Sequence, residues 1–293
     1  MRRDNSSLET ARTIAELRAV ERGWRAAGHS IGLVPTMGGL HDGHLALVRR
    51  ALAVCDRVVV SIFVNPRQFG SADDLARYPR REAEDCGKLA KAGADLVFMP
   101  SVDEMYPAGS VTTVSVAGPL TQTLDALHRP GHFDGVATVV SKLFLQALPD
   151  VAFFGEKDFQ QLRIVTRMAR DLDIPVRVEP VPTVRDADGL ALSSRNLHLS
   201  VAERRVAAAF PAALFEAVER LARGAPVEAT LDAARRAVVQ AGFDRVDYIE
   251  LADSETLSPI RDLGGALGAA PARLFGAAWI GHTRLIDNLP VPS

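Results

Sequence analysis

The residues with the most chemical content lie in one run, Pro35-Thr36-Met37-Gly38-Gly39-Leu40-His41-Asp42-Gly43-His44. It stands between a short apolar run, Ile31–Val34, and an amphipathic one, Leu45–Val54, so a strand, a turn and a helix are predicted in succession. Glycines let a backbone come close to a bulky anion. The first turn of a helix presents unpaired N–H groups at the positive end of its dipole. Two histidines three residues apart place both imidazoles on one side of that opening turn. The combination suits a phosphate group, although glycine-rich strand-to-helix turns also occur in α/β proteins that bind nothing there.

Four further segments carry candidate chemistry. Asn65-Pro66-Arg67-Gln68-Phe69-Gly70 follows the β-branched run Arg57–Val64. The amides of Asn65 and Gln68 donate and accept without charge, which suits a hydroxyl- or carboxylate-bearing substrate; a capped turn is the alternative. Gly155-Glu156-Lys157-Asp158-Phe159-Gln160-Gln161 follows the apolar run Val151–Phe154. There Gly155 allows close approach, Lys157 offers a mobile charge for phosphate, and Asp158 caps a helix or orients a nucleotide. Arg129-Pro130-Gly131-His132-Phe133 places two basic groups at another helix start, or forms a solvated loop. Leu192-Ser193-Ser194-Arg195-Asn196 follows the turn Arg185–Gly189, and two hydroxyls with an arginine make a polyphosphate clamp. Arg80–Glu84 is more simply a solvated helix face, with Glu84 and Asp85 as the candidate Mg²⁺ ligands.

The elements that must position these groups follow from periodicity. Helices are predicted over Thr10–Ala27, Leu45–Val54, Arg81–Ala92, Gly135–Leu148 and Phe159–Leu172, and strands over Ile31–Val34, Arg57–Val64, Asp95–Met99, Val111–Val116, Val151–Phe154 and Val176–Val181. Strands that are apolar throughout, alternating with helices, predict an α/β fold: a Rossmann-like parallel sheet with helices on both faces. Ligands of such sheets bind beyond the carboxyl ends of the strands, where the candidate groups lie. The character changes near Thr183–Ser200. Two Ala- and Arg-rich helices, about Val201–Arg223 and Pro226–Ala241, precede strand-like runs at Asp247–Leu251, Leu274–Ile280 and Thr283–Asn288. We therefore expect a catalytic domain over 1–184 and a smaller α+β domain over 185–293, with a ligand cleft at their junction.

Composition narrows the partners. Hydrophobic residues make up 47% and charged residues 24% of the 293, the balance of a globular protein. A net charge of −2 gives no basis for nucleic-acid or anionic-membrane binding. Cys55 and Cys86 form neither a metal-type spacing nor a disulfide framework, which predicts a reducing cytoplasm. Met1–Thr10 is polar, without the apolar stretch of a secretory signal, and no run reaches membrane-span length.

Taken together, Pro35–His44, Ser61–Gly70, Tyr78-Pro79-Arg80, Arg129–Phe133, Phe154–Gln161, Asp188–Asn196 and Thr283–Asn288 resemble, in order and spacing, the pantoate–β-alanine ligase family. His41-Asp42-Gly43-His44 resembles the HIGH motif of the nucleotidylyltransferase superfamily, and Leu192–Asn196 its second phosphate-binding motif. The resemblance implies a two-step reaction. Pantoate and ATP give pantoyl adenylate and pyrophosphate; β-alanine then attacks, giving pantothenate and AMP. It also implies Mg²⁺ dependence, a C-terminal lid domain and a homodimer. Carried over by motif, Met37, Gly38, Gly39, Leu40, His41, Asp42, Gly43 and His44 would line the ATP site, with Gly155, Glu156, Lys157, Asp158, Val184, Leu192, Ser193, Ser194 and Arg195. Gln68, Gln161 and Asn65 would hold pantoate, with Gln68 also near β-alanine. His44, His41, Lys157 and Arg195 would be catalytic. Two departures are visible: Gly39 stands where the family commonly has Ala or Asn, and Leu124-Asp125-Ala126 replaces a typical Leu-Glu-Gly.

Pantoate's carboxylate is ionised at neutral pH, so the first step needs no general base and the histidines are expected to stabilise charge. Two alternatives remain at this level. A nucleotidylyltransferase acting on a phosphomonoester would favour extra Arg or Lys over Asn65, Gln68 and Gln161. A silent nucleotide-binding regulator would not need His41, His44, Lys157 and Arg195 together.

Overall fold

The computed structural model describes residues 8–263 and 271–292. Most of the polar N-terminal segment read above lies outside them. Contacts divide the chain into two compact units. One takes the residues up to Val116, Arg129–Glu156 and Ile164–Pro182; the other takes Ala117–His128, Lys157–Arg163 and Thr183 onward. The long part of the second unit begins beside the expected break at 184, but two earlier segments join it.

In the first unit, β1 (Glu9–Ala11), α1 (Ile14–Ala26), β2 (Ile31–Thr36), α2 (Asp42–Val54) and β3 (Arg57–Ile62) are followed by the short helices α3 (Ala72–Arg77) and α4 (Glu82–Ala92). Then come β4 (Leu96–Phe98) and α5 (Val102–Met105). The six-stranded sheet has the order β1-β4-β3-β2, then β5 (Val151–Gly155) and β6 (Arg177–Val181), every pairing parallel. Ile31, Leu33, Val58–Val60, Leu96–Phe98 and Phe153 are wholly buried, as a sheet covered on both faces requires. The order reverses at β2, with β3 on one side and β5 on the other, which is the switch point beyond which such sheets bind ligands.

Two expected elements differ. β1 overlaps the start of the helix predicted from Thr10; its three residues pair with β4, and α1 begins after it with Thr13 as the cap. Val111–Val116 forms no strand. Side chains satisfy its backbone instead: the Arg67 guanidinium donates to the carbonyls of Ser110 and Thr112, and the Val114 N–H donates to Thr138 Oγ1.

α1 buries a carboxyl, that of Glu21, with Oε1 lacking a hydrogen-bond partner. Burial pushes this group up to about 8, against the opposing charges of Arg25 and Arg18. Folding therefore tightens its hold on the proton. The associated stability is complete below the unfolded pKa of about 4.3 and is lost as pH rises toward about 8. Glu21→Gln, which cannot ionise, should lose less stability than the parent chain between about pH 5 and about pH 9; superimposable pH profiles in urea unfolding would count against this.

In the second unit, α6 (Asp125–His128) belongs with the C-terminal elements. α7 (His132–Ala147) returns to the first unit, whereas α8 (Phe159–Asp171) begins in the second. α9 (Val201–Ala207), α10 (Ala209–Ala222) and α11 (Val227–Gln240) precede the antiparallel sheet β7-β8-β9 (Arg245–Asp253, Ala272–Ile280, Thr283–Val291). This is the expected α+β architecture. The predicted helix 201–223 is split because Pro211 lacks an N–H and fits only the first turn of a new helix. Phe210, Leu214 and Leu221 from α10, Leu231 and Val238 from α11, and Ile249, Leu251 and Leu274 from the sheet share one core. No helix among the described residues is long and apolar enough to cross a membrane.

Candidate active site

The loop between β2 and α2 is built to hold an unusual path. Gly38 and Gly39 both have left-handed backbones, with φ of 82° and 63°; Gly39 meets that demand without strain, and Asn would be tolerated there. Two side chains of α4 clamp the loop. Asp85, 1% exposed, accepts from the N–H of Gly39 and of Leu40, both at 2.8 Å, one on each carboxylate oxygen. Lys88 donates to the Leu40 carbonyl at 2.7 Å. The acidic residue considered for Mg²⁺ thus has both oxygens committed to backbone, while exposed Glu84 pairs with Lys88 and Arg81. Among the described residues, no three His, Cys, Asp or Glu side chains are grouped to hold a metal ion.

His41 caps α2, and the two histidines exchange bonds with the backbone. Gly43 N–H donates to His41 Nδ1 at 3.2 Å, and His41 N–H donates to His44 Nδ1 at 3.3 Å. With Nδ1 accepting, the proton of each neutral ring sits on Nε2. The rings lie 4.1 Å apart between centroids. Two donor edges are therefore set beside each other at the positive end of a 13-residue helix. Met37 on the loop and Gly43 in the first turn of α2 are half-buried, while Asp42 is exposed.

Gln68 is positioned by a second network. Asn65 Nδ2 donates to Gln68 Oε1 at 2.9 Å and to the Gly135 carbonyl at 3.1 Å. Asn65 Oδ1 accepts from Tyr106 Oη at 2.9 Å and from the Arg67 N–H at 3.2 Å. Asn65 was expected to contact pantoate; its amide is saturated, and it serves to hold Gln68. Because Gln68 Oε1 is taken, its NH₂ is the end available to a ligand. Burial pushes the Tyr106 hydroxyl up to about 12, which keeps it a donor. The Gln68 carbonyl lies 2.8 Å from His132 Nδ1, whose Nε2 meets Arg129 at 3.0 Å. So Arg129 and His132, left open by sequence, form a brace under Gln68. Gly135 is the close-approach point: a Cβ there would stand 2.2 Å from the Arg67 carbonyl oxygen.

Gly155 ends β5 and Glu156 opens the turn after it, both in the first unit; Lys157, Asp158, Val184 and Leu192–Arg195 lie in the second. Lys157 is half-buried, with Nζ 3.7 Å from exposed Asp158. Beside it, Gln160 is buried, accepting from the Asp125 N–H and donating to the carbonyls of Leu120 and Thr123; Gln161 is half-buried on the same turn. The hairpin 184–192 closes through Leu192 N–H to the Val184 carbonyl at 2.9 Å and leads into Ser193, Ser194 and Arg195. Ser193 Oγ accepts from the Arg195 N–H at 3.2 Å. Tyr106 and Gly135 are not among the candidates the sequence offers, and Asp85 is offered only as a metal ligand, not as the clamp of the glycine loop. Each acts through a partner distant in the chain, which no local pattern reveals.

A profile of the family described as pantoate-beta-alanine ligase matches residues 9–290. The pantothenate synthetase of Chelativorans sp. (strain BNC1) is 56% identical over 285 residues, covering 97% of this chain and 98% of that one. The crystal structure of pantothenate synthetase from Thermus thermophilus superposes with a TM-score of 0.90 at 48% identity, covering 98% of this chain and all of that one. The pantoate-beta-alanine ligase of Francisella tularensis, crystallised with beta-gamma ATP and beta-alanine, gives a TM-score of 0.80 at 31% identity, covering 97% and 98%. With a clamped glycine loop, a paired-histidine helix start and a braced glutamine, this chain belongs to the pantoate-β-alanine ligase family.

Proposed function

We propose the following roles in the ATP-dependent joining of pantoate and β-alanine to pantothenate. The observation that carries them is the histidine pair at the head of α2, whose Nε2–H edges are fixed by backbone N–H groups on a loop held by Asp85. In the first step a pantoate carboxylate oxygen attacks the α-phosphorus of ATP. The new O–P bond forms as the bond to the bridging oxygen breaks, and pyrophosphate leaves with that electron pair. The nucleophile is already ionised, so catalysis consists of aligning two anions and relieving charge. His44, assisted by His41, donates to phosphate oxygens as charge builds on them. Lys157, Arg195, Ser193 and Ser194 stabilise the same phosphates. Met37–His44, Gly155–Asp158, Val184 and Leu192–Arg195 line the nucleotide. Gln68, through its NH₂, and Gln161 hold pantoate. In the second step the neutral amine of β-alanine, near Gln68, attacks the acyl carbon: the C–N bond forms, the bond from the acyl carbon to the phosphate oxygen breaks, AMP leaves with that electron pair, and the nitrogen gives up one proton to water.

Asp85 is engaged elsewhere, so the described residues do not fit a resident Mg²⁺. The ion belongs with the ATP phosphates as part of the substrate, and no step here depends on it. A cytoplasmic homodimer completes the reading. The two free thiols suit that compartment, and light scattering on the purified chain tests the dimer.

The deciding assay is AMP formation from ATP. We expect it to require pantoate and β-alanine together. AMP formed without either, or adenylylation of a phosphomonoester instead, would overturn the assignment.

A further inference from the structure

β9 carries two adjacent buried polar residues, Asp287 and Asn288, 3% and 4% exposed. Neighbouring side chains on a strand point to opposite faces. On one face, Asp287 takes the Arg185 guanidinium on both oxygens, at 2.6 and 2.8 Å. Arg185 also donates to the Gly189 carbonyl at 3.0 Å, closing the hairpin that leads into Ser193–Arg195. On the other face, Asn288 Nδ2 donates to the Lys157 carbonyl at 2.9 Å. Asn288 Oδ1 accepts from Arg273, whose guanidinium lies 3.9 Å above the Phe159 ring two residues further on. The two dipeptide halves are themselves coupled, since Asp287 Oδ1 accepts the Asn288 N–H at 2.8 Å.

Buried, bidentate and fully directed bonds of this kind are stiff. We infer that Asp287 and Asn288 are positioning residues for ATP: one strand of the C-terminal sheet fixes, on its two faces, the two nucleotide-binding segments of the second unit, so that Lys157 and Ser193–Arg195 hold a set spacing. Neither touches the nucleotide. The inference rests on the reading of those two segments as ATP-binding. It also gives a physical purpose to the assignment of Lys157–Arg163 to the C-terminal unit rather than to the strand it follows.

Asn288→Asp isolates the bond at issue. The carboxylate keeps an acceptor for Arg273 but presents no donor to the Lys157 carbonyl. We expect kcat/KM for ATP in adenylate formation to fall about tenfold, the scale of one buried hydrogen bond, with KM for pantoate little changed. Lys157→Met is expected to show its own larger loss, and the double variant to be no worse than Lys157→Met alone, because Asn288 acts through Lys157. Unchanged ATP kinetics in Asn288→Asp, or losses that multiply in the double variant, would overturn the positioning role. If Lys157→Met itself leaves ATP use intact, the ATP-site reading is what fails. Asp287→Asn, paired in the same way with Arg195→Ala, provides an independent cycle should Asn288→Asp not fold.

Discussion

Gly135→Ala should lower kcat/KM for pantoate about a hundredfold, the scale on which a misplacement of about 1 Å is felt in catalysis. The added Cβ would stand 2.2 Å from the Arg67 carbonyl oxygen, 2.5 Å from its carbon and 2.8 Å from Gln68 Cα. All three are backbone atoms, so no rotamer change relieves the overlap, and ordinary contact requires the loop to retreat by more than about 1 Å. The retreat acts on the segment that carries Gln68. It also opposes the two bonds that tie this segment to α7, from Asn65 Nδ2 to the Gly135 carbonyl and between His132 and the Gln68 carbonyl. Steady-state kinetics with ATP and pantoate varied separately would show the loss on pantoate. Wild-type pantoate kinetics in a folded Gly135→Ala chain would refute the close-packing argument.

His44→Ala should slow adenylate formation by roughly 10²-fold or more, the effect of losing one preorganised donor to a charged transition state. The geometry sharpens the expectation. His44 Nδ1 accepts the backbone N–H of His41, so alanine removes a donor from the phosphates and also a restraint on the backbone that carries His41. His41→Ala leaves His44 its helix position and should therefore be the milder change. Single-turnover formation of the adenylate, measured by rapid quench, isolates this step from β-alanine attack. Near-normal rates in His44→Ala would remove the histidine from the mechanism.

The parts of this molecule that sequence made legible are those whose cause is local. Ile31–Val34 and Val151–Phe154 are apolar because both faces of their sheet are covered. The run ending His41-Asp42-Gly43-His44 combines a turn, a cap and a helix start within ten residues. What stayed hidden depends on partners far away in the chain. Nothing around Asp85 shows that its carboxylate will meet Gly39 and Leu40, 46 and 45 residues earlier. Asn65 looked like a ligand because an amide after a strand can serve either purpose, and only its four bonds decide. β1 was lost because three residues have no period of their own. Val111–Val116 has strand-like residues, but side chains from Arg67 and Thr138 occupy backbone groups that a neighbouring strand would need.

The interleaved membership of the two units bears on how this gene can be cut. A product ending at residue 182 would retain Asp125 and Phe159 without their C-terminal partners. The complementary product would keep Arg284, 11% exposed, facing Asp247 but stripped of Asp125, and Arg273 without the ring it covers. Taking away one of the two carboxylates that hold a buried guanidinium is a damaging loss, because the remaining partner no longer offsets its desolvation. The C-terminal half is thus not a transplantable module. Recombination between relatives at the apparent boundary would have to exchange residues 117–128 and 157–163 along with it.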